Sequence, residues 1–129
     1  MAIAWSDYKE HARSKGVMGR ELFMVHSVPV ASADDLQAAL PDHLAYQKKL
    51  EADGVLFAAG PLADEAGQAW SMEGLIILRA ESLDDARRIA AADPMHQSGK
   101  KTFTVRPWLV NEGRIQVDIS LSSKSARLP

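Results

Sequence analysis

The sequence contains no cysteine. That absence excludes a disulfide framework, a thiolate zinc site, an iron–sulfur cluster and a cysteine nucleophile. An excess of one charge is also missing: 15 Lys+Arg stand against 17 Asp+Glu, for a net charge of -2. The chain therefore lacks the basic balance of a general nucleic-acid binder, and no nucleic-acid partner is expected. No apolar run reaches the roughly 18 residues that span a bilayer, so no membrane partner is expected. The first residues show no charged-then-apolar leader pattern, which makes a cytoplasmic protein the expectation. There is no Walker loop, no G-x-G-x-x-G, no G-x-S-x-G and no H-E-x-x-H, and no internal repeat or low-complexity tract. What remains is an ordinary globular composition, 47% hydrophobic and 25% charged, on 129 residues, the size of one domain.

Charge is not spread evenly. Residues 1–20 hold four bases and two acids, residues 21–113 eight bases and fourteen acids, and residues 114–129 three bases and one acid. The chain thus reads as an acidic core of residues 21–113 between two mildly basic extensions, 1–20 and 114–129. Either the ends are peripheral additions, as termini commonly are, or they pack on the core or on a partner copy.

Periodicity supplies the elements. Ser6 is placed to cap a short helix from Asp7 to Lys15, stopped by Gly16. From Glu21 to Val28 apolar side chains alternate on both faces, the pattern of a central strand, and Pro29 ends it. Ser32 and Asp35 form an acidic capping box before a helical pattern running to Asp53 and Gly54. Pro41 falls inside that pattern and predicts a short turn before it and the main helix after it. Leu36, Leu40, Leu44 and Leu50 mark the apolar stripe. Val55 to Ala59 is a second strand, closed by Gly60-Pro61. Residues 62–71 read as a loop and Met72 to Ala80 as a third strand, with Gly74 suggesting a bulge or a close approach. Ser82 opens a second helix with Asp84 and Asp85 in its first turn. Leu83, Ala86, Ile89 and Ala90 form its inner face, and Asp93-Pro94 ends it. A loop to Gly99 leads to a fourth strand, Lys101 to Val110, with Phe103 and Val105 on one face and Thr102, Thr104, Arg106 and Trp108 on the other. Arg114 to Ile119 reads as a short fifth strand and the last nine residues as a frayed tail.

The order β-α-β-β-α-β, with an extra N-terminal helix and C-terminal strand, is the ferredoxin-like split βαβ pattern, an α+β fold with a four-stranded antiparallel sheet. Two helices cover one face of such a sheet. Strands that are apolar on both faces then call for a second sheet, so a homodimer is expected.

Chemistry, if any, must come from histidine and carboxylate. The four histidines, His11, His26, His43 and His96, match no metal-ligand spacing, and no metal site is expected. His43 lies seven residues from both Leu36 and Leu50, nearly two helical turns, so it shares their inward face. There it is either a hydrogen-bonded core histidine or a pocket residue whose imidazole, with an ordinary pKa of about 6.5, suits acid–base work. Asp93 is either a helix terminator bonded to its own loop or the carboxylate that orients a histidine from the first helix. His96 is a loop histidine, either solvated or turned to a ligand. Arg106 is either an edge ion-pair partner or an anion-binding group. Trp70 and Trp108 either wall a pocket for a flat ligand or pack.

Taken in order, His43-Leu44, Gly54, Ala59-Gly60-Pro61-Leu62, Gly74, Ser82-Leu83, Ala92-Asp93-Pro94, Gly99 and Arg106-Pro107-Trp108 resemble the YciI-like (YCII-related) family over roughly residues 21–110. The resemblance implies a dimeric α/β barrel in which two ferredoxin-like protomers pack sheet to sheet. It also implies an active-site pair formed by His43 and Asp93, without a cofactor. A related member dehydrochlorinates a chlorinated hydroxyhydroquinone, and the wider superfamily includes muconolactone isomerases. On this basis Gly60, Pro61, His96, Arg106 and Trp108 are candidate substrate-binding residues. The two terminal extensions depart from the minimal family pattern. The leading functional expectation is acid–base elimination or isomerisation of a small cyclic or aromatic compound. The alternatives are a non-catalytic ligand-binding or regulatory dimer, and an assembly role for the two ends.

Overall fold

The computed structural model describes residues 1–129. In chain order the elements are α1 (Trp5–Ser14), β1 (Arg20–Pro29), α2 (Ala33–Ala52), β2 (Leu56–Pro61), β3 (Gly74–Leu78), α3 (Leu83–Ala91), α4 (Pro94–Gln97), β4 (Lys101–Val110), β5 (Asp118–Ser120) and β6 (Ser125–Arg127). They fall into two compact units, Glu21–Trp108, and Met1–Arg20 together with Leu109–Pro129.

The first unit is an α+β fold on an antiparallel sheet in the order β2-β3-β1-β4. The mostly apolar β1, with Leu22, Phe23 and Val25 buried, occupies an interior position. Register decides which residues share a face. Phe23 lies opposite Leu78, Val25 opposite Ile76 and Ser27 opposite Gly74. Across the next ladder Leu56 meets Leu78, Ala59 meets Ile76 and Pro61 meets Gly74. Opposed residues point the same way, so Phe23, Val25, Ile76 and Leu78 form one floor. Leu50 of α2 and Ala86, Ile89 and Ala90 of α3 complete the core against it. Phe103 and Val105 of β4 pack against the same core, whereas Thr102, Thr104, Arg106 and Trp108 are exposed, as their alternation predicts. Both serine caps form: Ser32 Oγ accepts from the Asp35 amide at 3.3 Å and Ser82 Oγ from the Asp85 amide at 3.1 Å.

Several elements differ from the expectation. Helix α2 runs unbroken through Pro41. The missing N–H leaves only the Gln37 carbonyl without its helical donor, and Gln37 is exposed to water, which satisfies that group. Buried Leu36 and Leu50 hold both halves of the helix down. The irregularity expected at Gly74 sits instead in the neighbouring strand, where the register shifts between Leu56 and Ala58. There the extruded Phe57 ring lies 5.1 Å beneath the Arg79 guanidinium. Residues 94–97 are a short helix rather than loop, because Asp93 caps it and Pro94 suits a first helical position.

In the second unit, α1 starts at Trp5, so Ser6 is already helical and Ala4 precedes the helix without a side-chain cap. The Trp5 and Tyr8 rings stack 5.8 Å apart, and Arg13 Nε donates to the Gly19 carbonyl at 3.0 Å. Residues 121–129 are not a frayed tail. Pairing of Asp118 with Arg127, Ile119 with Ala126 and Ser120 with Ser125 makes a hairpin, so strand structure begins at Asp118 rather than Arg114. Lys124 turns that hairpin with a φ of 55°.

Candidate active site

His43 and Gln47 are four residues apart on α2 and so stand one above the other on one helix face. Tyr46 anchors that stretch of helix, its hydroxyl donating to the Ile89 carbonyl of α3 at 2.7 Å. Burial and then the nearby Asp93 charge both raise the Tyr46 pKa, which keeps the phenol a donor. Asp93 arrives from the other side. It leaves α3 and caps α4, with Oδ1 accepting from the Met95 amide at 2.9 Å. Its second oxygen, Oδ2, is 2.7 Å from Nδ1 of His43 and 3.2 Å from Nε2 of Gln47.

Asp93 is almost wholly buried, 1% exposed. Burial pushes its carboxyl pKa up. The His43 ring, the Met95 amide and the positive potential of His43 and His96 together outweigh that effect and hold it below its ordinary value. An ionised carboxylate can only accept, so the proton on this contact belongs to Nδ1 of His43. In the neutral ring Nε2 then carries a lone pair. His43 borders a cleft of about 460 Å³, a volume suited to a small organic molecule.

The cleft lies within residues 27–101, between α2 and the β2–β3 side of the sheet. Leu40, Leu44, Leu56, Ala59, Ile76 and Met95 give it apolar walls, and Gly60 and Pro61 also line it. Part of the leucine stripe thus serves the cleft rather than the core, and Leu44 is half exposed. Trp70 lines it too, its indole N–H donating to the Glu73 carbonyl at 2.8 Å. Arg106 and Trp108 do not: they stand on the exposed face of β4, away from the helices.

His96 is neither solvated nor at the cleft wall. It is 9% exposed, with Phe103 packed 4.6 Å from its ring centre. Its Nδ1 donates to the Ala90 carbonyl at 2.7 Å, which leaves Nε2 to accept from the Ser27 hydroxyl at 2.6 Å. Burial lowers the His96 pKa, outweighing the opposing effects of the Ala90 carbonyl and Asp93. A loop histidine was expected here; the α4 turn carries it inward instead.

Sequence reasoning passed over Ser27, Gln47, Glu73 and Lys101, all of which line the cleft. Two of them had a legible signal. Ser27 is the polar member of the inward series Phe23, Val25, Ser27, and Lys101 has the same parity as Phe103 and Val105. Glu73 accepts from His26 Nε2 at 2.7 Å. No group of three or more His, Asp or Glu side chains is arranged to hold a metal ion. No helix is long and apolar enough to cross a membrane.

The fold defines a ferredoxin-like α+β protein with a four-stranded antiparallel sheet. Residues 21–109 match the YCII-related domain, and the chain belongs to that family. It is 31% identical over 72 residues to the uncharacterized protein YjpA of Bacillus subtilis (strain 168), covering 56% of this chain and 78% of that one. Its fold is similar to that of the 5-chloro-2-hydroxyhydroquinone dehydrochlorinase of Burkholderia phenoliruptrix AC1100, solved in complex with 2,5-dihydroxybenzoquinone. The TM-score is 0.52 and the identity 23%, over 67% of this chain and 92% of that one.

Proposed function

We propose that this protein is a cofactor-independent enzyme that moves a proton on a small cyclic or aromatic compound, with elimination or isomerisation as the outcome. The observation that carries the reading is the 2.7 Å contact between His43 Nδ1 and Asp93 Oδ2 at the wall of the cleft. Asp93 fixes the tautomer, and Nε2 of His43 is the base. In an elimination, Nε2 takes a proton from a ring carbon. The C–H electron pair becomes the new double bond, and the leaving group departs with the electrons of its own bond. In an isomerisation, the same imidazolium returns the proton at another carbon. The similarity in fold to a dehydrochlorinase of a hydroxyhydroquinone supports this substrate class. Residues 21–113 carry the activity, and 1–20 and 114–129 are accessory segments.

The same reading takes the working unit as a homodimer. Met24 lies opposite Ile77 and His26 opposite Leu75 on the sheet face turned away from the helices. A second copy packed there would cover the part-exposed Met24 and Leu75.

The test is a panel of lactones and halogenated hydroquinones with wild type and His43→Gln. Turnover by wild type that falls by about 10²–10⁴ in the variant supports the assignment. Equal turnover removes His43 from the chemistry. Saturable binding with no product after prolonged incubation points instead to a ligand-binding module.

A further inference from the structure

Lys101 is a charged residue 92% withdrawn from water, since only 8% of it is exposed. Alternation along β4 puts it on the inward face with Phe103 and Val105, and it borders the same cleft as His43. One of its donors is taken by the Met72 carbonyl. An ammonium has three N–H groups, and no other acceptor within the protein holds Lys101. Carboxylates do not neutralise it by contact: Asp93 is committed to His43, Gln47 and the Met95 amide, and Glu73 to His26. Leaving the donors of a buried cation unmatched is costly.

The Met72 backbone adds a second observation. Its φ is 67°, in the left-handed region that a residue with a long side chain rarely adopts. Such a conformation persists where the surroundings hold it. Here the Leu62 and Trp70 N–H groups both donate to the Glu73 carbonyl, and Lys101 takes the carbonyl of Met72. The strained turn and the lysine together form one wall of the cleft.

We propose that Lys101 is the oxyanion-binding residue of the cleft, and that its ligands are ring compounds bearing an acidic hydroxyl or an enolisable carbonyl. The inference rests on the reading of the cleft as a small-molecule site and names the substrate class. The free N–H groups of Lys101 receive the phenolate or enolate oxygen while the ring lies against the apolar wall. His43 then acts on a carbon of a ring whose developing negative charge is already matched. A cation at a dry position is worth far more to that charge than one in water. Titratable groups around the ammonium are Asp93 and Glu73, which favour its charge, and His96 and His43 of the same cluster. Burial is the larger influence and lowers its pKa.

The experiment uses two coloured probes, 4-nitrophenol and its uncharged analogue 4-nitroanisole, with wild type, Lys101→Met, Lys101→Arg and His43→Gln. Wild type is expected to bind nitrophenol as the yellow phenolate and in preference to nitroanisole. Lys101→Met is expected to lose phenolate affinity on the order of ten- to a hundredfold, and the spectral preference with it, while its nitroanisole affinity stays within about twofold. Lys101→Arg keeps the charge and is expected to retain part of the preference. His43→Gln is expected to retain the phenolate band. Equal phenolate binding by wild type and Lys101→Met overturns the role of Lys101 and leaves the His43 reading standing. Failure of wild type to bind either probe overturns both. Thermal melts of each variant show whether a loss is confined to the cleft. A Lys101→Met protein that melts like wild type yet loses both probes alike overturns the proposal in favour of a strut for Met72.

Discussion

Nδ1 of His43 stands 2.7 Å from Oδ2 of Asp93, and the partners, one on α2 and the other the cap of α4, are fifty residues apart in sequence. The carboxylate is not free to choose its position. The Met95 amide fixes Oδ1 as the cap of α4, and Gln47 shares Oδ2. On the function proposed above, an imidazole oriented by a carboxylate that is itself oriented by a helix cap would serve as a pre-set base.

Asp93→Asn tests that arrangement without destroying the cap. The amide oxygen still serves the Met95 N–H, so its NH₂ faces Nδ1 as a donor. The ring must then accept at Nδ1 and carry its proton on Nε2, the wrong tautomer for a base. The expected result is near-wild-type stability with turnover reduced by about 10²–10⁴. Asp93→Ala should in addition lose about 1 kcal/mol with the cap. Urea titration beside turnover on the substrate panel separates the two effects.

Ser27 and His96 form a matched buried pair, 2.6 Å apart. Ser27→Ala leaves Nε2 without its donor and should cost about 1–3 kcal/mol. The double variant Ser27→Ala/His96→Leu removes both polar partners of this contact and should recover part of that loss, because neither is left unmatched and the Ala90 carbonyl keeps the Asp93 N–H. Chemical denaturation of the two singles and the double measures the coupling. Simple additivity would show that the contact contributes nothing of its own.

The same histidine sets a pH dependence. Burial holds the folded His96 pKa below its ordinary value of 6.5. Above that pH both folded and unfolded rings are neutral and nothing changes. Below it the unfolded chain binds a proton that the folded ring refuses until its own lower pKa, so stability falls as the pH falls through that window. Asp93, held below 3.8, adds a second loss in the same direction as its carboxylate is protonated. Melting temperature against pH should therefore drop on acidification from neutrality. The drop in the upper window should be shallower in Ser27→Ala/His96→Leu. Parallel curves would assign it to other groups.

Pro41 costs α2 a hydrogen bond on an exposed turn. Pro41→Ala restores an N–H for the Gln37 carbonyl and should stabilise the fold by about 1–3 kcal/mol. That figure is the interior-proline penalty less the entropy regained by the unfolded chain. A neutral or negative change in urea midpoint would show that the ring packs usefully where it is.

Leu75→Glu addresses the homodimer. It puts a charge on the sheet face opposite the helices, in register with His26. Sedimentation should show a dimer for wild type and a shift toward monomer for the variant. A wild-type monomer at high concentration would rule out the sheet-to-sheet pairing.

The element order was legible because its signals are local. Ser32 and Ser82 cap where serine hydroxyls meet helix N–H groups, and the alternation along β4 separated Phe103 and Val105 from Arg106 and Trp108. The departures arise where local rules compete with packing. Pro41 reads as a break, yet Leu36 and Leu50, buried on either side, hold the helix continuous. Asp93 reads as the end of one helix, and it is also the cap of the next. The tail of residues 121–129 reads as too polar to order, but hairpin pairing needs backbone partners rather than an apolar face.

The absence of cysteine left histidine and carboxylate to carry any chemistry, and heptad spacing put His43 on an inward face. Those conclusions follow from composition and periodicity alone. Only tertiary structure decided that Asp93 meets that ring, that His96 turns inward to Ser27, and that Arg106 and Trp108 stand away from the cleft. It also brought Lys101, read from sequence as no more than the first residue of a strand, to the cleft wall. The physical reason is that face and parity are properties of one segment, whereas a hydrogen bond across fifty residues depends on how two helices lie on a shared sheet.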